Sequence, residues 1–234
     1  MQGIKKGTLP GLKTRAYAGL LLLAMLLSFL GGCATGPKEQ ALVVLESTVG
    51  GEPSKGPAVG RLDDGREGFV ITEVPPMDEA LGRDFDDAVA LLKDEDYDEA
   101  IVLLEKVIEK SPGVTAPYVN IAIAYQRTGS LELAEENLKR ALELFPGHPV
   151  ACNEFGLLYR RTGRFAEAQS MYEMAIARFP DYYPAHRNLG IVCDLYLNDP
   201  ACALEHYEIY SEVMLEDEQV KLWVADLRAR LGRE

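Results

Sequence analysis

Leu131–Pro146 reads LELAEENLKRALELFP, and Phe165–Pro180 reads FAEAQSMYEMAIARFP. Columns of the two stretches align at a fixed interval, among them Leu131 with Phe165, Ala134 with Ala168, Leu138 with Tyr172, and Pro146 with Pro180, each pair 34 residues apart. The same columns run back to Tyr97, Ala100, Leu104 and Pro112. Spacings of three and four place each set on one face of a helix. Upstream of each stretch lies a second helical pattern with columns of its own. One holds only small residues, Ala88, Ala122, Gly156 and Gly190; another holds Leu91, Tyr125, Tyr159 and Cys193. Gly129 and Gly163 fall at the join between the two patterns, where a turn is needed. Each unit is therefore a pair of helices. The small residues of the first helix face an alanine of the second and let the two approach closely. The closing proline cannot continue a helix, so it ends the unit and sets the angle of the next. One pair cannot bury its own apolar face, so the units must stack.

A 34-residue helix-turn-helix unit with these columns resembles the tetratricopeptide repeat (TPR). The resemblance runs from about Leu81 to about Asp217. It implies an all-α solenoid of about four repeats over residues 78–217, followed by a capping helix over 218–234 and preceded by a flexible linker. Units two and three carry nearly all the hallmark positions. Unit one is weaker, because Asp84 and Asp87 stand where larger apolar residues are usual. In unit four the turn Leu197–Ala201 carries one extra residue before Asp199 and Pro200 restart a helix. No proline closes this unit. Instead Val220, Trp223, Val224, Leu227 and Leu231 form one apolar stripe, which suits a cap with Trp223 in its core.

The resemblance also implies that the first helices line a concave groove for a protein or peptide ligand. The groove positions are Ala116, Val119, Ile123, Gln126 and Arg127 in unit two, Val150, Asn153, Leu157, Arg160 and Arg161 in unit three, and Arg187, Ile191 and Asp194 in unit four. Partner contact is expected chiefly from Val119, Ile123, Arg127, Asn153, Leu157, Arg160 and Arg187. Arg127, Arg160 and Arg187 either hold an acidic or carboxylate-bearing segment or pair with nearby acids. Asn153, Arg160 and Arg187 are expected to be dispensable for stacking. Asn120 sits at the position of the carboxylate clamp seen in some TPR adaptors, but the accompanying lysines are absent.

Nothing in the chain points to catalysis. His148, His186 and His206 share no metal-binding spacing, and no P-loop, GxSxG or Rossmann glycine pattern occurs. No CxxC pair is present, so neither a metal site nor a cofactor is expected. A net charge of −13 disfavours nucleic acid as a partner. Cys193 lies late in the first helix of unit four and Cys202 early in the second. In antiparallel helices such positions come close, so a Cys193–Cys202 disulfide is expected in an oxidising compartment, with two packed thiols as the alternative. Cys152 is expected to remain a buried thiol.

The N-terminus reads as an address. Lys5, Lys6, Lys13 and Arg15 precede an uncharged apolar run from Ala16 to Leu30. Leu30, Gly31, Gly32 and Cys33 then resemble the lipobox of bacterial lipoproteins. That likeness implies a signal peptide over 1–32 and acylation of Cys33. Ala34 rather than aspartate follows, which implies sorting to the outer membrane, on its periplasmic face. An uncleaved helix over Ala16–Gly36 is the alternative. From 33 to 77 the glycines and prolines, Gly50, Gly51, Pro53, Gly56, Pro57, Pro75 and Pro76 among them, point to a flexible tether of roughly 40 Å span. Within it, Phe69–Val74 has strand-like composition and reads either as a mobile segment with transient structure or as a strand that docks on the repeats or on a partner. The whole describes a membrane-anchored TPR scaffold that helps assemble or tether an envelope complex, in a pilus, cell-wall or energy-transducing machine. Its rival is a pilotin-like chaperone that escorts one outer-membrane client. Cys33→Ser is expected to block acylation and leave the unprocessed precursor. Mass spectrometry of the membrane fraction checks this, and an intact N-terminus without acyl mass in the wild type would refute it.

Overall fold

The computed structural model describes residues 58–61, 69–72 and 77–233. Cys33 and the segment before it lie outside the described residues. Phe69–Thr72 is a strand, and its partner is Ala58–Arg61. The two are antiparallel, with Ala58 opposite Thr72 and Arg61 opposite Phe69, and they form a two-stranded sheet. Strand composition marked Phe69–Thr72 in the sequence, but a paired hairpin within the expected flexible tether was not foreseen, nor was its partner strand.

Nine helices follow among the described residues, and they pair as the 34-residue period requires. Unit one is α1 (Glu79–Lys93) and α2 (Tyr97–Lys110); unit two is α3 (Thr115–Thr128) and α4 (Leu131–Leu144). Unit three is α5 (Pro149–Arg161) and α6 (Phe165–Arg178); unit four is α7 (Tyr183–Leu195) and α8 (Pro200–Val213). Helix α9 (Glu218–Leu231) closes the series. Side chains cap several starts. Asp78 accepts from Leu81 N, Asp199 from Cys202 N and Asp217 from Val220 N, satisfying amides that the first turn leaves without partners. His148 does the same for α5, its Nδ1 accepting from Ala151 N at 3.2 Å. Burial holds that ring neutral, with its pKa pushed down to about 3.

The helix-helix turn puts one residue per unit in the left-handed region. Gly129 and Gly163 take it, with φ of 87° and 78°. Glu95 takes it in unit one and Asn198 in unit four, at φ of 66° and 53°. Glu95 lies 34 residues before Gly129, but Asn198 lies 35 after Gly163, so the extra residue of unit four is spent inside this turn.

The contact between the two helices differs from expectation in one respect. The small residue of the first helix faces the large column of the second rather than its alanine. A Cβ built on Gly156 would lie 2.4 Å from the Tyr172 ring, and one on Gly190 would lie 2.5 Å from the Tyr207 ring. Both rings are buried, at 0% and 1% exposure. In units one and two the corresponding residues are Ala88 with Leu104 and Ala122 with Leu138, all fully buried. The methyl that glycine gives up is replaced by a larger ring.

Each second helix packs on the next first helix. Adjacent first helices also touch, α1 with α3, α3 with α5 and α5 with α7, whereas no two second helices of adjacent units do. The array therefore bends toward its first helices, which form the inner layer. Helix α9 packs on α8 through Val220, Val224 and Leu227, with the half-buried Trp223 ring 5.2 Å from Tyr207. Ion pairs flank it: Arg228 with Glu208 at 2.7 Å and Arg230 with Asp194 at 3.1 Å.

Gly156→Ala is expected to destabilise by about 1–3 kcal/mol through overpacking, less up to ~1 kcal/mol regained in helix propensity. Adding Tyr172→Leu recreates the Ala122–Leu138 pairing and is expected to recover most of the loss. A double-mutant cycle in urea measures the coupling. Additive effects would show that this contact does not set the helix separation.

Candidate functional site

The inner layer carries the residues expected to meet a partner, and most of its apolar floor is buried. Ala116, Val119, Val150, Leu157 and Ile191 are all below 10% exposed. Ile123, Arg160, Arg187 and Asp194 are half-buried, whereas Arg127 and Arg161 are exposed. The face thus offers a mostly buried apolar seam edged by Arg127 and Arg160.

Two of the expected contact residues are engaged within the array itself, which corrects the reading that they are free of stacking. Asn153 is 3% exposed. Its Oδ1 accepts from Asn188 Nδ2 of unit four at 2.9 Å, and its Nδ2 donates to Glu154 Oε1 at 3.3 Å. The other carboxylate oxygen of Glu154 accepts from Gln126 Nε2 of unit two at 3.5 Å. A run of buried polar groups therefore crosses units two, three and four. Arg161 adds a bond across the same boundary by donating to the Gln126 carbonyl. Arg187 pairs with Asp217 at 3.5 Å and lies over the Trp223 ring at 5.6 Å, so it fastens the cap to unit four. The reason is geometric. Adjacent first helices lie side by side, so the position shared by Val119, Asn153 and Arg187 reaches the next element instead of open solvent.

Burial raises the pKa of Glu154 to about 7, opposed by the hydrogen bond from Asn153, the charge of Arg127 and the hydrogen bond from Gln126. Sequence reasoning passed over this carboxylate. Its signal was the column Asn120, Glu154 and Asn188, polar in three successive units at a helix position flanked by apolar residues. In unit four, Cys193 and Cys202 form a disulfide with their Cα atoms 5.9 Å apart. Cys152 is a buried free thiol whose pKa burial pushes up to about 12.

Asn153→Ala is expected to cost about 1–3 kcal/mol, because it leaves the Asn188 amide buried without its acceptor. Arg127→Ala is expected to stay within about 0.5 kcal/mol. Chemical denaturation distinguishes the two. Glu154 also makes stability depend on pH. Its folded pKa is raised, so the folded state holds a proton that the unfolded state releases from about pH 4.5 upward. Stability from this group is complete below that value and is lost as pH rises to about 7. Glu154→Gln is therefore expected to gain stability over the wild type on going from pH 5 to 8, by roughly 2–4 kcal/mol at full expression. A constant difference across that range would contradict the assignment.

Comparison with known proteins agrees with this architecture. Residues 113–181 match the family described as tetratricopeptide repeat. No curated protein sequence matches the chain. Among solved structures, that of Pseudomonas aeruginosa pilF is 25% identical, with a TM-score of 0.61, over 66% of this chain and 70% of that one. The MamA protein is 22% identical, with a TM-score of 0.56, over 67% and 85%. A chain of the APC/C Cut9–Hcn1 hetero-tetramer is 18% identical, with a TM-score of 0.58, over 64% and 30%. Residues 113–181 are thus tetratricopeptide repeat by sequence, and the nine-helix array built around them has the fold of a TPR solenoid.

Proposed function

We propose that the chain is a protein-binding scaffold, tethered to the outer membrane through acylated Cys33, that presents its inner helix layer to a protein or peptide in the periplasm. The observation that carries the binding face is the apolar seam of first helices edged by Arg127 and Arg160. These two arginines have no ion-pair partner among the described residues, in a chain whose net charge is −13. Arg187, Arg164, Arg228 and Arg230 are all paired with carboxylates. The fold supports the reading, since TPR arrays serve as interaction scaffolds and one similar structure is a hetero-tetramer. The basic segment, apolar run and Leu30–Cys33 motif support the anchor. The task that unites them is assembly or tethering of an envelope complex. A chaperone for one outer-membrane client is the second reading.

The test is capture of partners from crosslinked membranes, followed by affinity measurement. Arg127→Ala with Arg160→Ala is expected to weaken the captured partner about tenfold or more while leaving the melting temperature unchanged. Gly156→Leu controls for loss of fold. Undiminished affinity in the double variant would move the binding surface elsewhere. Several partners at steady state indicate a scaffold; one client mislocalised on deletion indicates a chaperone.

A further inference from the structure

We infer that His186 and His206 form a binding site for a late first-row divalent transition-metal ion, ligated through both Nδ1 atoms. The site lies between α7 and α8 and is independent of the partner-binding reading. His186 belongs to the column that holds Tyr118 in unit two and Cys152 in unit three. Tyr118 ties its helix to the previous unit by donating to the Pro112 carbonyl at 3.3 Å. His186 does the same in unit four, its Nε2 lying 2.9 Å from the Pro180 carbonyl. A phenol meets this structural need with its single polar atom. An imidazole meets it and has a second nitrogen left over.

That second nitrogen, His186 Nδ1, lies 3.1 Å from His206 Nδ1. The extra residue in the unit-four turn brings His206 there. Tyr207, not residue 206, packs on Gly190 as Tyr172 packs on Gly156, so His206 stands where Met171 stands in unit three. The Pro180 carbonyl only accepts, so His186 Nε2 carries the proton and its neutral Nδ1 presents a lone pair. This is the tautomer and backbone hydrogen bond that typify a metal-ligating histidine. Two nitrogens about 2.0–2.1 Å from a tetrahedral ion stand roughly 3.3 Å apart, a few tenths of an ångström from the observed separation.

Two carboxylates lie within electrostatic reach of the pair, against burial that lowers the pKa of both rings. Glu205 acts electrostatically on both rings and Glu173 on His206; both carboxylates are exposed, and Glu173 accepts from Gln169 Nε2 at 2.9 Å. Among the described residues no third His, Cys, Asp or Glu is already in place on the pair, so water and one of these carboxylates fill the remaining positions. Imidazole nitrogen suits zinc, copper and nickel over magnesium or calcium. Cys193 and Cys202 are bonded to each other and supply no thiolate. Without metal, His206 Nδ1–H donates to His186 Nδ1. On binding, neutral His206 passes that proton through solvent to its own Nε2, both Nδ1 lone pairs bond the ion, and no proton is released overall.

The experiment titrates the full-length chain with Zn²⁺ by calorimetry at neutral pH. The wild type is expected to take up one ion per chain and to melt at a higher temperature with Zn²⁺ present, because the ion binds the folded state. His206→Gln keeps a hydrogen-bonding side chain opposite His186 without an imidazole, and is expected to lose both effects. Imidazole ¹⁵N resonances of the wild type provide a readout that needs no variant: Zn²⁺ should shift Nδ1 of His186 and His206 together. No saturable uptake by the wild type, equal uptake by His206→Gln, or shifts confined to His148 would each overturn the site.

Discussion

The distance at which the two helices of each unit pass is set by one contact, a residue with little or no side chain against a large one. Gly156 and Gly190 meet Tyr172 and Tyr207, and the same columns hold the fully buried Ala88 with Leu104 and Ala122 with Leu138 in units one and two. Everything else in the array is built outward from that separation. The alanines of the second helices, Ala100, Ala134, Ala168 and Ala203, are fully buried only because the helices run so close. The one-residue expansion of unit four shows how firmly the contact is kept. Gly156 and Tyr172 are 16 residues apart, Gly190 and Tyr207 are 17, and the left-handed turn residue moves by the same single step to Asn198. The turn takes up the insertion and the contact does not.

On the inner layer the array uses polar groups to hold itself together. The run from Gln126 through Glu154 and Asn153 to Asn188 joins three units where an apolar seam would have sufficed. Such a run is favourable only when its members are paired, and it penalises any slip of one unit against the next. Arg187 is drawn into the same work at the far end, through Asp217 and Trp223. On the inner layer of units two and three, Arg127 and Arg160 stay outside this work, with no ion-pair partner among the described residues.

Much of this was legible in the sequence, because a 34-residue period reports packing directly. The columns of alanine, glycine and proline named the helices, and Asp199 and Pro200 named the restart of α8. Three kinds of feature were not legible. The first is which way a helix residue reaches when its neighbour is another first helix: Asn153 and Arg187 share a column with Val119, yet one bonds Asn188 and the other the cap. The second is any pairing with no recurring interval. His186 and His206 are 20 residues apart, and only the folded hairpin with its extra turn residue makes them neighbours. Glu95, in a left-handed conformation usually left to glycine, is a third case, since nothing but the column of Gly129 and Gly163 marks it.

The disulfide between Cys193 and Cys202 ties α7 to α8, and the paired arginines of α9 tie the cap to both. No disulfide joins α1 to α2. Under a pulling force applied between the two ends, the array is therefore mechanically polar. The fourth unit and its cap behave as a stiff handle that transmits load. The first unit, held by packing and an ion pair without such a cross-link, has two helices that are free to separate along their full length.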